Sequence, residues 1–229
     1  TLPLLTLYGL GSVIGAGIYA LVGEIAGAAG YGAPLSFVVA AVVAGFTACS
    51  FAELAGRFPR AAGAALYVQQ GFDAPRLALA VGLLVTLAGT VSAAALVNAF
   101  TGYFTSYVPA PQAAVIITTA LALAGLAAWG IAQSVAVAAA ITVIEIGGLV
   151  VVIALGVPSL AELPTHAGDF LPSPIGNAGV SAILLGVTLA FYAFIGFEDM
   201  IDVAEEVKDV RLTMPRAILL TLGVSTVLY

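Results

Sequence analysis

Residues 11–19 read GSVIGAGIY, placing Gly11, Gly15 and Gly17 in the middle of a hydrophobic run long enough to cross a bilayer. Glycine inside a helix costs about 1 kcal/mol relative to alanine. In lipid, an opened backbone must also find new partners for its N–H and C=O groups. A helix that opens at membrane depth therefore commonly uses its freed backbone to hold something. Residues 191–199, FYAFIGFED, interrupt a second hydrophobic run at Gly196. Two interrupted spans at corresponding places in two halves of a chain point to the substrate site of a transporter.

The surrounding composition belongs to a membrane protein. Of 229 residues, 62% are hydrophobic and 8% are charged, and the mean hydropathy is +1.17. No soluble domain covers such a surface. The net charge of −6 leaves no basic stripe to neutralise phosphates, which argues against a nucleic-acid partner. The single cysteine, Cys49, lies in an apolar run and is expected to behave as a small buried hydrophobe. The chain begins at Thr1 and stops at Tyr229 inside a hydrophobic run, so it reads as a portion of a longer protein. No signal peptide is expected, since a basic start and a short apolar core with a cleavage site are missing.

Crossing the hydrocarbon takes about 20 apolar residues. On that measure, spans are expected near residues 4–28, 34–55, 74–107, 112–129, 131–157 and 178–203, with a seventh beginning near 215. The third run is long enough to require tilt. All six basic residues fall in two groups: Arg57, Arg60 and Arg76 after the second span, and Lys208, Arg211 and Arg216 after the sixth. Four crossings separate the groups, so both lie on one side, and the Lys/Arg bias makes that side cytoplasmic. The N-terminus and loops 56–76 and 204–216 are then cytoplasmic. The loop 158–176 carries Glu162, His166 and Asp169 but no Lys or Arg, as an external loop should.

Opening the first helix around Gly15 and Gly17 exposes N–H groups at the start of the following half-helix, whose dipole is positive there. Such a pole suits a carboxylate. Opening the sixth span near Ala193–Gly196 exposes carbonyls suited to an ammonium group. The two poles together fit a small zwitterion, and glycine lets backbone approach ligand. Against this stands plain packing, because Gly11 and Gly15 also form a GxxxG pair that lets helices approach closely. A dinucleotide fingerprint is excluded by the missing third glycine and the missing βαβ context.

At these residues the chain resembles the amino acid–polyamine–organocation (APC) superfamily of permeases, in order and over essentially its whole length. GSVIGAGIYALVG at 11–23 is similar to the family's opening glycine-rich signature, and SFAELAGRFPRAAGAALYV at 50–68 to its second-helix end and first cytoplasmic loop. FYAFIGFEDMIDVAEEVKDVRLTMPRAI at 191–218 resembles its sixth helix and the loop after it. The resemblance implies an all-α integral membrane protein with the inverted five-helix repeat (LeuT-type) transporter fold, working by alternating access. The first repeat would be 1–157, with its first helix broken near 13–17, followed by the extracellular loop 158–176. The second repeat would begin in 177–229, with its first helix broken near 193–197, and be cut off after the start of the seventh helix.

By residue, the resemblance places the carboxylate pole at Ile14, Gly15, Ala16 and Gly17, and the ammonium pole at the carbonyls of Phe191, Tyr192, Ala193 and Ile195. It implies an aromatic gate in the sixth helix, for which Tyr192 is the first candidate and Phe194 the second, with ordinary helix packing as the alternative for both. The family often carries a Lys midway along the fifth helix; here ITVIEIGGLVVVIALG has Glu145. A carboxyl group at that depth is a functional candidate by default. It can carry a proton, help bind a cation, or stay protonated as structural glue. A second departure is Asp209-Val210, where the family often has Asn-Pro, and it is expected only to alter the loop.

Among the other charges, Glu24 is placed at an external entrance or a solvent-facing helix end, and Glu53 within reach of Arg57 at i+4. Glu198, Asp199 and Asp202 are placed to draw cations into an inner vestibule or to meet a basic substrate side chain. Glu205, Glu206, Lys208 and Arg211 form either a salt-bridged gate or a solvated face. His166 is assigned no chemistry. One His and one Cys leave no pieces for a metal or hydrolytic site, and no cofactor is expected. The reading is therefore secondary active transport of an amino acid or related amine across the cytoplasmic membrane, with a proton or cation as a possible coupling partner. An exchanger of the same fold is the alternative, and a membrane-embedded enzyme or a channel is less favoured.

Overall fold

The structure is a computed structural model describing residues 1–61, 63–166, 168, 170 and 179–229. Among the described residues all regular elements are helices. Helix α1 spans Leu2–Ala29, α2 Ala33–Arg57, α3 Gly63–Phe72, α4 Pro75–Tyr107, α5 Gln112–Trp129 and α6 Ile131–Gly156. A short 3-10 turn, Val157–Glu162, and the one-turn helix α7, Leu163–His166, follow. Then come α8, Val180–Phe194, a 3-10 segment over Phe197–Glu206, and α9, Val210–Leu228. Of the expected external loop 158–176, Ala167, Asp169 and residues 171–176 lie outside the described residues.

Among the described residues, six apolar stretches are long enough to cross a membrane. One of them, Gly17–Arg57, is 41 residues long and contains the 3-10 turn Gly30–Gly32, where Gly30 takes φ 54. At 1.5 Å per residue, 41 residues exceed the roughly 30 Å of hydrocarbon twice over. The turn therefore divides two helices. The expected helix limits agree with these elements to within a few residues, with one exception. The seventh helix was expected to start near Pro215; it starts at Val210. Asp209 adopts a left-handed conformation, and its carbonyl accepts from the N–H groups of Leu212 at 3.0 Å and Thr213 at 2.9 Å. Proline thus sits inside α9, where it omits a single ladder bond to Arg211.

Two compact units can be separated by their internal contacts. One comprises residues 1–61 and 138–229 and the other 62–137. In the second, α3 and α4 pack together, as do α4 and α5. In the first, α1 and α2 both pack on α8 and α9. The reason lies in α2, whose buried residues Ala40, Ala44, Ala48 and Ala52 recur every fourth position and make one small-residue stripe. Such a stripe lets helix backbones approach closely where lipid provides no hydrophobic drive. On α8, a Cβ at Gly186 would stand 2.5 Å from Ser36 Oγ, and that hydroxyl donates to Ile183 O at 3.0 Å. Large side chains fill the remainder: Ile14, Ile18 and Ile25 of α1 cluster with Phe37, Leu149 and Phe194.

Cys49 does not follow the expectation of burial. It is exposed, because it falls one position past Ala48 of the stripe and so turns about 100° away from the core. In a bilayer, an outward-facing apolar position is no anomaly.

Candidate functional site

The backbone leaves helical geometry at two places of interest. Within α1, Gly15 leaves the helical region with φ −13 and ψ −154. After α8 ends at Phe194, Ile195 is extended and Gly196 takes φ 133 before the 3-10 segment begins. The ladder is rerouted there: Ile195 N–H donates to Tyr192 O at 3.2 Å. Gly196 N–H donates to Glu198 Oε2 at 2.9 Å. Glu198 therefore caps the second half-helix, where its charge also suits the positive end of the dipole.

The two interruptions lie against each other. A Cβ at Gly196 would stand 2.5 Å from Ser12 O and 3.1 Å from Val13 N, and one at Gly17 would stand 3.7 Å from Ala193 Cα. Only glycine at 196 allows this approach, since φ 133 is also a conformation that other residues rarely adopt. Beside Gly15, by contrast, a Cβ would meet nothing within 4 Å. Open space thus adjoins the opened backbone of α1.

The glycines of the GxxxG pair divide their roles. A Cβ at Gly11 would collide with Thr142 Oγ1 of α6, so Gly11 serves close packing. Gly15 faces open space and marks the interruption. Of the expected carboxylate pole, Ile14 is fully buried and Gly17 half-buried; the side chain of Ala16 lies outside the described set. Of the expected ammonium pole, Ala193 is buried, Phe191 half-buried, and Tyr192 and Ile195 are exposed.

The two candidate gating aromatics occupy different surroundings. Phe194 has 0% exposure and its ring centroid is 5.1 Å from that of Tyr229, whereas Tyr192 is 45% exposed. Tyr229 itself was missed by the sequence reading. Its hydroxyl donates to Val13 O at 2.8 Å and lies 3.1 Å from Ala193 O. Nothing local in the sequence signals a contact made across 216 residues.

Glu145 projects from α6 into a cleft of about 230 Å³, lined also by Tyr8, Gly11, Ser12, Ala138, Ile141 and Thr142. Its side chain is half-buried, among two hydroxyl-bearing residues of α1. Ser12 lines this cleft while its carbonyl faces Gly196. The carboxyl cleft thus borders the paired interruptions. Seven residues further along α1, Tyr19 donates to the backbone carbonyl of Glu145 at 2.5 Å. A Cβ at Gly148 would stand 2.8 Å from the Tyr19 hydroxyl, so Gly148 makes room for that bond.

The remaining described charges are mostly exposed. Glu53 and Arg57 pair at 2.5 Å, both well exposed, and an exposed pair contributes little. Glu205 accepts from Ala61 N–H at 3.3 Å, while Glu206, Lys208 and Arg211 are exposed. Among the described residues no ion pair links them. Glu24, Asp199 and Asp202 are exposed. Among the described residues no His, Cys, Asp and Glu cluster could hold a metal ion.

Over residues 3–229 the chain matches the model of a family described as amino acid permease. Cationic amino acid transporter 4, vacuolar, of Arabidopsis thaliana is 31% identical, the match covering 96% of this chain and 40% of that protein. Branched-chain amino acid permease BcaP of Bacillus subtilis is 30% identical over 98% of this chain and 51% of its own length. Inner membrane transport protein YbaT of Escherichia coli is 31% identical, with coverages of 96% and 51%. The chain spans about half the length of the curated relatives it matches.

Proposed function

This chain belongs to the amino acid permease family, and on that premise we propose that it forms the substrate-binding part of a secondary active transporter for an amino acid or related amine. The observation that carries the reading is the apposition of two interrupted helices. Gly196 lies against the Ser12–Val13 peptide, and Gly17 against Ala193. The N–H groups opened around Ile14–Gly17 bind the substrate carboxylate at a positive helix end. The carbonyls of Phe191, Tyr192, Ala193 and Ile195 bind its ammonium group. Open space beside Gly15 supplies the room, and no intramembrane Arg is needed. The relatives' names, which include cationic and branched-chain amino acid transporters, support an amino-acid substrate and favour no single side chain.

The reading extends to the fold. Residues 1–157 form the first repeat of a LeuT-type inverted pair, 158–176 an external loop, and 177–229 the start of the second repeat. The two repeats rock against each other in alternating access. The N-terminus and the basic loops 56–76 and 204–216 face the cytoplasm across the cell membrane, by the Lys/Arg bias. Tyr192 is the moving gate, since it stands exposed beside the interruption, whereas Phe194 is already packed on Tyr229.

Glu145 is the coupling group. It is a carboxyl at membrane depth in a cleft that shares Ser12 with the interruptions, so its charge state is felt where substrate binds. Exchange is the second reading, favoured if Glu145 is only a fixed hydrogen-bonding group. Uptake of a labelled amino-acid mixture by the full-length permease in proteoliposomes, with and without an inward proton gradient, separates them. Accumulation that follows the gradient supports coupled transport. Uptake that ignores the gradient and requires internal amino acid supports exchange, and no uptake in either condition overturns the amino-acid reading.

A further inference from the structure

The contacts of Tyr229 are not required by the transport reading, yet they link the residue just before the first pole, Val13, to Ala193 of the second. The hydroxyl reaches one carbonyl from each interrupted helix, Val13 O at 2.8 Å and Ala193 O at 3.1 Å. A phenol has one proton to give, so two acceptors share a donor sufficient for one. The ring is fixed by Phe194, with centroids 5.1 Å apart, and by Phe37 at 5.7 Å. The hydroxyl is therefore held at a point where two backbone oxygens converge and where a group with more protons and a positive charge is better accommodated. A primary ammonium is such a group: it has three protons, and charge-assisted bonds are roughly twice as strong as neutral ones.

We propose that the Tyr229 hydroxyl is an internal stand-in for the substrate amine, satisfying the Val13 and Ala193 carbonyls until an ammonium group displaces it. The inference rests on the reading that the paired interruptions hold an amino acid. Its physical reason is the cost of leaving opened backbone carbonyls without a donor away from water. Only a ligand carrying an amine replaces the bond it breaks. A carboxylic acid lacking the amine would leave both oxygens to Tyr229 and gain nothing from them. Tyr229 thus sets the requirement for an amine without lying in either glycine motif.

The test compares Tyr229→Phe with the wild type in the purified full-length permease. The probes are L-alanine, L-leucine and L-arginine, set against propanoate, 4-methylpentanoate and 5-guanidinopentanoate, which lack the amine. Removing the competing hydroxyl raises affinity for bound amino acids about two- to tenfold, the equivalent of one hydrogen bond, and leaves the amine-free acids unchanged. Unchanged or weaker amino-acid binding overturns the proposal. Wild type that binds none of the three amino acids overturns the transport reading itself, and the stand-in role falls with it. An independent measurement leaves the hydroxyl in place: 3-fluorotyrosine at position 229, followed by fluorine NMR. Its resonance shifts on adding a bound amino acid but not the matching amine-free acid; a resonance indifferent to both overturns the proposal.

Discussion

Gly196 and Ser12 are separated by most of the chain, yet a Cβ on Gly196 would stand 2.5 Å from the Ser12 carbonyl oxygen. Backbone meets backbone where each helix is interrupted. The contact leaves no room for a side chain and ties the second interruption to the peptide just before the first.

Gly196→Ala is expected to destabilise the protein by about 1–3 kcal/mol, through left-handed strain and displacement of the Ser12–Val13 peptide. Thermal melting of the purified variant checks this. Gly23→Ala is the control, since Gly23 is helical and its Cβ would meet nothing within 4 Å. It is expected to melt at or slightly above the wild-type temperature.

Tyr19 and Gly148 act as one unit. Tyr19→Phe removes the hydrogen bond to Glu145 O, and Gly148→Ala pushes the same hydroxyl away. Each is expected to cost about 0.5–1.5 kcal/mol. The double variant should cost clearly less than the two added together, as read from a double-mutant cycle on melting or denaturation. Strict additivity would mean that Gly148 serves something other than this bond.

Glu145→Gln keeps the shape of the cleft and removes the titrating group. It is expected to abolish accumulation driven by an inward proton gradient while sparing exchange of internal for external amino acid. Proteoliposome uptake under both conditions measures this. Retained gradient-driven accumulation returns Glu145 to a fixed hydrogen-bonding role.

Much of the fold was legible because bilayer thickness imposes a length that hydropathy reveals directly. The limits of α4, α5 and α6 follow from that length and from turns such as Gly130. Both interruptions were legible for a related reason: glycine at 15 and 196 stands out against long apolar runs. What escaped depends on contacts between distant elements. The Ala40–Ala52 stripe recurs every fourth residue, but alanine is at home on any membrane helix face, so it does not say which face is buried. Cys49 was misplaced for the same reason, since apolar residues in a bilayer point outward as well as inward. The seventh span was expected to begin near 215, yet the left-handed turn at Asp209 begins α9 earlier. Tyr229 was invisible because its hydroxyl finds partners 36 and 216 residues away, which no local pattern records.

The most direct test of the central claim is saturable amino-acid uptake by the full-length permease in proteoliposomes, comparing wild type, Gly17→Ala and Gly17→Leu. A Cβ at Gly17 stands 3.7 Å from Ala193 Cα, an ordinary contact, so alanine should retain uptake. Leucine projects further into the space between the two interruptions and should reduce uptake at least tenfold, with the variant still folded by its melting profile. Uptake by Gly17→Leu equal to wild type would contradict the assignment of substrate binding to the paired interruptions.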